Sequence, residues 1–346
     1  MPAARVQWID FCRVYTAFFV VLRHVDRTYG TVNYVVDLFN YRSLIFFFFL
    51  MSGYFTRQPG AGEWLGLRRA RQLAVPYVFW VLAGMLVAYS PHIGQGDWGW
   101  LTWQGVVSQL GLTSWCYWSY SNVPLWFLRT LILLALVSPL LYRLPVKVLL
   151  SLGLVCFAAS DVLCNVDLEA ATANFRPEHG QGWLPFRLYE SVLALGFFCG
   201  GIALRRLADT ERLTRWVSAY AWVPVLGALA LLPYVLGWGF YPPVQSSALV
   251  LLGVATTMGI GCLCSRYLPR FCAAVAKLGP AAFFVYVTHY PILDMVRYTL
   301  TGSIEGHLSP ELCYVLPFLI FGSCIGLFYL LRRICPAFLR TFALCK

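Results

Sequence analysis

The sequence predicts an all-α membrane protein, a polytopic helical bundle of about ten transmembrane helices with cytosolic N and C termini. Three observations predict it. Of the 346 residues 60% are hydrophobic and only 12% are Asp, Glu, Lys or Arg, whereas a soluble domain carries roughly a quarter charged residues to solvate its surface. The apolar residues gather into ten stretches, most near the ~20 residues that cross a hydrocarbon core of ~30 Å. The cationic residues between those stretches are distributed asymmetrically. A soluble globular domain is therefore excluded, and residues 1–346 are expected to form one membrane-embedded unit without internal repeat or appended soluble domain.

In chain order the expected spans are 7–25, 43–57, 72–90, 124–142, 146–163, 188–205, 218–237, 243–263, 278–297 and 312–331. The first is not a cleavable leader, because Arg13 lies inside it and many more spans follow. The second is short, but the run Ile45–Leu50 is too apolar to sit anywhere except in lipid or protein. Residues 105–118 are apolar, short and Trp-rich, which fits an interfacial or re-entrant segment better than a crossing. With the N-terminus inside, the inner segments hold 18 of the 26 Lys and Arg, while the outer loops hold only Arg27, Arg42, Arg176 and Arg187. Arg13, Arg23, Arg129 and Arg297 lie in or at the edge of spans. This split obeys the positive-inside rule.

A net charge of +11 would suit a nucleic-acid partner if it formed one patch. Here the cations are interleaved with apolar segments, so no nucleic-acid partner is expected, and they read as orientation signals and anchors for anionic membrane lipids. Of the twelve cysteines, Cys12, Cys156, Cys199, Cys262, Cys264 and Cys324 fall in apolar segments, where Cys behaves as a small hydrophobe. Cys116, Cys164 and Cys313 fall near the outer face and leave one disulfide open. No CxxC pair occurs, so no metal site is expected. The outer loop 91–123 contains Trp98, Trp100, Trp103, Trp115, Trp118, Tyr117 and Tyr120, either an aromatic belt at the lipid boundary or a stacking surface for sugar rings.

Ionisable groups inside spans are functional candidates, because a charge at mid-membrane costs ~2.5–3.5 kcal/mol on insertion scales. The first span is the richest. Asp10 and Arg13, three apart, can pair on one face. Arg13 and His24 are eleven apart, three turns plus roughly 20°, so they share a stripe separated by ~16 Å of rise. One reading is a structural ion pair with an interfacial histidine; the other is a general base, since imidazole moves protons near neutral pH. Arg68, Arg69 and Arg71 precede the third apolar run, and Arg68 and Arg71 are spaced to project one way. They read either as ordinary inner anchors or as a clamp for a phosphate-bearing ligand. Further polar or special positions are Ser52-Gly53-Tyr54, where Gly53 permits close helix approach; Pro124-Leu125-Trp126-Phe127-Leu128-Arg129; and Tyr286-Val287-Thr288-His289-Tyr290-Pro291.

Taken in order, Asp10-x-x-Arg13 with His24, the aromatic run into Ser52-Gly53-Tyr54, Arg68-x-x-Arg71 before Pro76-Tyr77, Pro124-Leu125-Trp126-Phe127 and Tyr286-x-x-His289 resemble the motifs of the acyltransferase-3 family of membrane O-acyltransferases. The resemblance covers about residues 5–295. It implies a ten-helix enzyme, in a stand-alone form, that moves an acyl group, usually acetyl, from cytosolic acyl-CoA to a hydroxyl of an extracytoplasmic glycan or lipid-linked sugar. It places His24 at the family's essential histidine, Arg13 as its basic partner, and Arg68 and Arg71, with Arg69 between them, at the CoA-linked arginines; on helical spacing Asp10 would orient Arg13. Ser52, Tyr54, Trp126, Arg129 and His289 are the expected pocket residues. Acetyl-CoA would be a donor substrate, with no metal involved. A covalent acyl-histidine relay stays open, as does a homodimer, and a bacterial cytoplasmic membrane is the expected setting. The rival from another class is a secondary transporter or exporter, which also carries charge on helix faces and broken helices.

Overall fold

The computed structural model describes residues 6–25, 43–60, 64–94, 96, 123–174, 188–237, 247–303 and 308–343. Among them every regular element is helical: α1 Gln7–Val25, α2 Ser43–Tyr54, α3 Leu67–Ala88, α4 Trp126–Arg143, α5 Val146–Asn174, α6 Leu188–Leu207, α7 Thr210–Tyr220, α8 Trp222–Gly237, α9 Ser247–Tyr267, α10 Pro269–Ala276, α11 Ala282–Thr301, α12 Pro310–Ile334 and α13 Pro336–Phe342. A short helical segment Ser90–Gly94 and 3₁₀ turns at Val123–Leu125 and Gly279–Ala281 complete the set. Each of the ten expected spans coincides with one of these helices, α7, α10 and α13 being additional short ones.

By length and apolar composition six helical stretches can cross a membrane: Leu67–Ala88, Trp126–Arg143, Val146–Leu163, Ser247–Tyr267, Pro269–Thr301 and Glu311–Ile334. A seventh is added if Tyr189–Leu207 and Thr210–Tyr220, bent by 109°, form one span. The protein is therefore an integral membrane protein, and the others differ from these six for physical reasons. α1 carries Asp10, Arg13 and Arg23; α2 is only 12 residues long. α7 turns away from α6 at Asp209, whose side chain caps it by accepting from the Arg212 amide at 2.8 Å. The structure extends α5 to Asn174, eleven residues beyond the expected end of that span. The Trp-rich loop, the 105–118 segment, Cys116, Arg27, Arg42, Arg176 and Arg187 lie outside the described residues, as does the Cys164 side chain. Cys313 is buried, as are Cys12, Cys156, Cys199, Cys262 and Cys324.

Proline and glycine punctuate the helices. Pro76, Pro139, Pro291 and Pro317 sit inside α3, α4, α11 and α12, which membrane helices tolerate because neighbours satisfy the freed backbone groups. α11 ends on Gly302 in the left-handed region (φ +74°), its amide donating back to Tyr298 O at 2.8 Å. α12 starts on the capping pair Ser309-Pro310.

Within lipid, helices associate through close packing and interhelical hydrogen bonds rather than through apolar burial. α2 and α6 make one of the most extensive contacts of the fold, and Gly53 and Gly201 explain why. A Cβ at Gly53 would collide with the Phe198 carbonyl, and one at Gly201 with the Leu50 carbonyl and, at 2.7 Å, with the Tyr54 amide nitrogen. The sequence expectation of a close approach at Gly53 is thus met, with Gly201 as its counterpart. Around this seam Phe46, Phe47, Phe49, Phe127, Phe197 and Phe198 are buried together with Trp126. Some polar groups in the bundle pair across helices. Asp161 of α5 accepts the Ser247 amide (2.8 Å) and hydroxyl (2.7 Å), which caps α9 from a neighbouring helix.

α1 is the hub. It packs against α2, α9, α10, α11 and α12. Contacts at its two ends define the two faces of the bundle. Near its start, Trp8 donates to Thr214 (3.0 Å), Asp10 lies beside Gly279, Tyr54 donates to Ala208 O (3.2 Å), Arg206 donates to Leu144 O, and Tyr329 donates to Lys277 O (3.3 Å). Near its end, Arg297 of α11 reaches His24. α1 and α11 therefore run in the same direction.

Candidate active site

The first helix divides into two stations. At its start Asp10 is buried and binds Arg13 through Oδ1–Nη1 at 2.9 Å. The Arg13 side chain is 38% exposed, and its guanidinium stands 5.8 Å over the Phe55 ring just after α2. The expected i, i+3 ion pair is present, with its cation partly exposed. On the stripe between Arg13 and His24, Ala17 and Val20 are buried, so packed side chains separate the two stations.

At the far end His24 is half-buried and packs on α11. Its ring lies 5.3 Å from that of His289, at 42°, and 5.3 Å from that of Tyr290, edge to face. The two histidines that the sequence singled out, 265 positions apart, thus meet. His289 is fully buried, with Nδ1 3.0 Å from the Val285 carbonyl oxygen one turn back. One turn before it, Tyr286 donates its hydroxyl to the Pro124 carbonyl, and its ring lies 5.3 Å from Phe127. Phe127 and Trp126 in turn pack on Phe49, at 4.7 and 6.0 Å. Four motifs that are distant in sequence, at His24, Phe46–Phe49, Pro124–Phe127 and Tyr286–His289, converge on one end of the bundle.

Other expected pocket residues stand elsewhere. Tyr54 is fully buried at the opposite end, where its hydroxyl is committed to Ala208 O and the Arg205 guanidinium covers its ring at 5.5 Å. Ser52 is half-buried, and its carbonyl accepts from Thr56 at 2.7 Å. Both therefore belong to the Arg13 station. Arg129 is half-buried in the first turn of α4, next to Thr130, whose hydroxyl is 3.1 Å from Ser191 on α6. Arg68, Arg69 and Arg71 are exposed in the first turn of α3, with only Ala70 between them buried. Arg143 adds a cation beside this segment, stacked at 4.3 Å on Trp64.

Three buried ionisable residues, Arg297, Asp294 and Glu190, were not among the expected site residues, although Arg297 was placed in a span. Arg297, buried in α11, donates Nη2 to the carbonyl oxygens of His24 (2.9 Å) and Val25 (3.4 Å), the last carbonyls of α1. Helix-end carbonyls lack intrahelical partners, and a cation there also meets the negative end of the helix dipole. Asp294, also buried, lies 3.7 Å from Arg297 Nη1. The signal was available: Asp294 and Arg297 are an i, i+3 pair of opposite charge inside a span, the same pattern as Asp10 and Arg13. Glu190, buried in the first turn of α6, was likewise an acid at the edge of a span. Arg297→Ala is expected to destabilise the protein by about 3–5 kcal/mol, because a buried carboxylate loses its guanidinium. Arg297→Ala combined with Asp294→Asn should recover part of that loss. Thermal unfolding in detergent measures both.

Among the described residues no three His, Cys, Asp or Glu side chains gather to hold a metal ion. An apolar pocket of about 600 Å³ lies between α1, α8, α9 and α10, lined by residues such as Phe11, Trp222, Leu263, Tyr267 and Phe271. It carries no charged side chain and is remote from the two histidines.

Against known proteins, no curated protein and no solved structure matches the chain. The family model described as an acyltransferase domain matches residues 6–332, nearly the whole chain. That match, on a bundle of membrane-crossing helices whose motifs converge in space, makes the chain a member of the acyltransferase-3 family and hence a membrane acyltransferase.

Proposed function

We propose that the protein transfers an acyl group, acetyl in the simplest case, from cytosolic acyl-CoA to a hydroxyl of an extracytoplasmic glycan or lipid-linked sugar, with His24 as general base. The observation that carries this reading is the two-station first helix. A cation with its carboxylate stands at one end, and an imidazole packed on a second imidazole stands at the other. A polyanionic CoA donor suits the end where Arg13, Arg68, Arg69 and Arg71 are exposed. A sugar acceptor suits the opposite end. In the reaction His24 takes the proton of the acceptor hydroxyl, and the oxygen attacks the thioester carbonyl carbon. The C–O bond forms, the C–S bond breaks, and the imidazolium returns its proton to the CoA sulfur.

The reading includes a ten-span topology with both termini cytosolic, in a bacterial cytoplasmic membrane. It is supported by the coincidence of ten helices with the expected spans and by the inner-face contacts joining the ends of α1, α2, α6 and α9–α10. Broken spans and charged faces suit a transporter too, but the family is one of acyltransferases.

The test is release of free CoA thiol when detergent-solubilised protein is mixed with acetyl-CoA and candidate glycans. Release dependent on a glycan supports the proposal. Absence of release with every donor and acceptor, together with solute uptake in sealed vesicles, would replace it by transport. For the donor site, Arg68→Ala with Arg71→Ala is expected to raise the KM for acetyl-CoA at least 10-fold while leaving that for the glycan unchanged. Each lost charge-assisted hydrogen bond to a phosphate weighs ~1.5–3 kcal/mol. Unchanged donor kinetics would return these arginines to lipid anchoring.

A further inference from the structure

The apolar pocket of about 600 Å³ between α1, α8, α9 and α10 plays no part in the chemistry proposed above. Its volume falls in the range of roughly 300–1,000 Å³ found for ligand sites. Two aromatic contacts form its walls. Trp222 of α8 lies 6.2 Å from Tyr267 at the end of α9, and Phe11 of α1 lies 6.2 Å from Phe271 of α10, edge to face. Leu263 and Leu268 add to the lining. Trp222, Tyr267, Leu268 and Phe271 are all exposed, so the cavity opens on the outside of the bundle.

The depth of the pocket follows from α10 and α11. Pro269–Thr301 is one apolar stretch of 33 residues, and a crossing uses about 20, so its ends reach the head-group region. α10 forms the end next to the start of α1, where Asp10 lies beside Gly279. Exposed Trp222 and Tyr267 suit that boundary, because their rings are apolar at one end and polar at the other. Cations stand at the rim. The Arg266 guanidinium lies 5.3 Å over the Tyr267 ring, Arg270 precedes Phe271 in the first turn of α10, and both arginines are exposed. α9 and α10 contain no Asp or Glu, and Asp10 of α1 is bound to Arg13. α7, which packs on α9, adds Arg212 and Arg215 against one acid, Glu211. An apolar hollow thus lies under a net positive rim.

We infer that this corner is a binding site for an anionic glycerophospholipid: one acyl chain occupies the pocket against Phe11, Leu263 and Phe271, and the head-group phosphate meets Arg266 and Arg270. The two parts of the site match the two parts of such a molecule. The charge of the rim decides between lipid classes. A zwitterionic lipid would seat its chain equally well but bring an ammonium group towards the arginines, whereas an anionic one brings only charge of opposite sign. Basic pockets between membrane helices hold anionic head groups in this way, and guanidinium matches phosphate oxygens in pairs. The chain would pack on Phe11, two residues before Arg13, so the lipid braces the start of α1. The inference does not depend on the reaction that the enzyme catalyses.

The experiment titrates delipidated full-length protein in detergent with palmitoyl-oleoyl phosphatidylglycerol, or with the phosphatidylcholine of the same chains, and counts bound lipids by native mass spectrometry. The first phosphatidylglycerol is expected to bind about 10-fold more tightly than the first phosphatidylcholine, a factor within reach of two arginines near a bilayer surface. In Arg266→Ala with Arg270→Ala that preference should fall to about 2-fold or less. Arg332→Ala with Arg333→Ala, exposed at the end of α12, should keep it. Leu263→Trp fills the pocket and should weaken the first lipid of both classes, and Phe271→Gln, at an exposed wall position, should do the same without crowding the interior. Equal affinity of the two lipids for the wild-type protein means unselective annular lipid only and overturns the inference. A preference that survives the loss of Arg266 and Arg270, or one lost equally in the α12 variant, overturns it too. So does undiminished lipid binding in a folded pocket variant.

Discussion

His24→Ala is expected to fold, to bind detergent as the wild-type protein does, and to lose acyl transfer by 10²-fold or more. The side chain is half-buried at the end of α1, and the contact that anchors this helix end, Arg297 to the carbonyl of residue 24, is made by the main chain and survives the change. Little packing is therefore lost. The loss of rate follows from removing the base: general acid–base catalysis contributes about 10²–10⁴. Glycan-dependent release of CoA thiol measures the loss, and gel filtration with thermal unfolding measures the fold. Full activity in a folded His24→Ala protein would end the assignment of this histidine as the base. A covalent acyl-histidine intermediate would be seen as a trapped acyl group on His24 when acetyl-CoA is supplied without acceptor.

The largest structural effect is expected at the α2–α6 seam. Gly201→Val and Gly53→Val each place a side chain against main-chain atoms of the facing helix, the Leu50 carbonyl and Tyr54 amide in one case and the Phe198 carbonyl in the other. A clash with a flexible side chain is relieved by rotation. A clash with backbone is relieved only by separating the helices, which would pull Phe46, Phe47 and Phe49 off Phe197, Phe198, Trp126 and Phe127. Overpacking in a close-packed interior costs ~1–3 kcal/mol even when it can relax, so these substitutions should cost at least that. They should abolish a monodisperse peak on gel filtration. Gly322→Val in α12, where a Cβ meets nothing within 4 Å, serves as the tolerated control. Equal behaviour of all three variants would show that the seam does not depend on close approach.

Much of this was legible in the chain. The positions of the helices follow from apolar length, since backbone polar groups in lipid must be satisfied within the segment itself. Gly53 could be read as a point of close approach because a small residue in an apolar run has that use in membranes. The pair Asp10–Arg13 follows from helical spacing. The same rule, applied evenly, would have found Asp294–Arg297. What spacing could not provide was the division of the candidate residues between two stations: Tyr54 and Ser52 go to the Arg13 end, and His289 goes to His24. Sequence separation carries no information on which helix faces which, and α11 runs parallel to α1 only because of how the intervening helices pack.

The sequence by itself determined that this is an integral membrane protein built of helices, which family it belongs to, and which ionisable residues stand inside its spans, because lipid penalises charge and unpaired backbone so strongly that few patterns survive. Only the tertiary structure decided that His24 and His289 are neighbours, that the unpartnered nitrogen of His289 is Nε2, and that Arg297 holds the end of the first helix. The first and last depend on ring contacts and hydrogen bonds between residues more than 260 positions apart, and such contacts exist only once the bundle has closed.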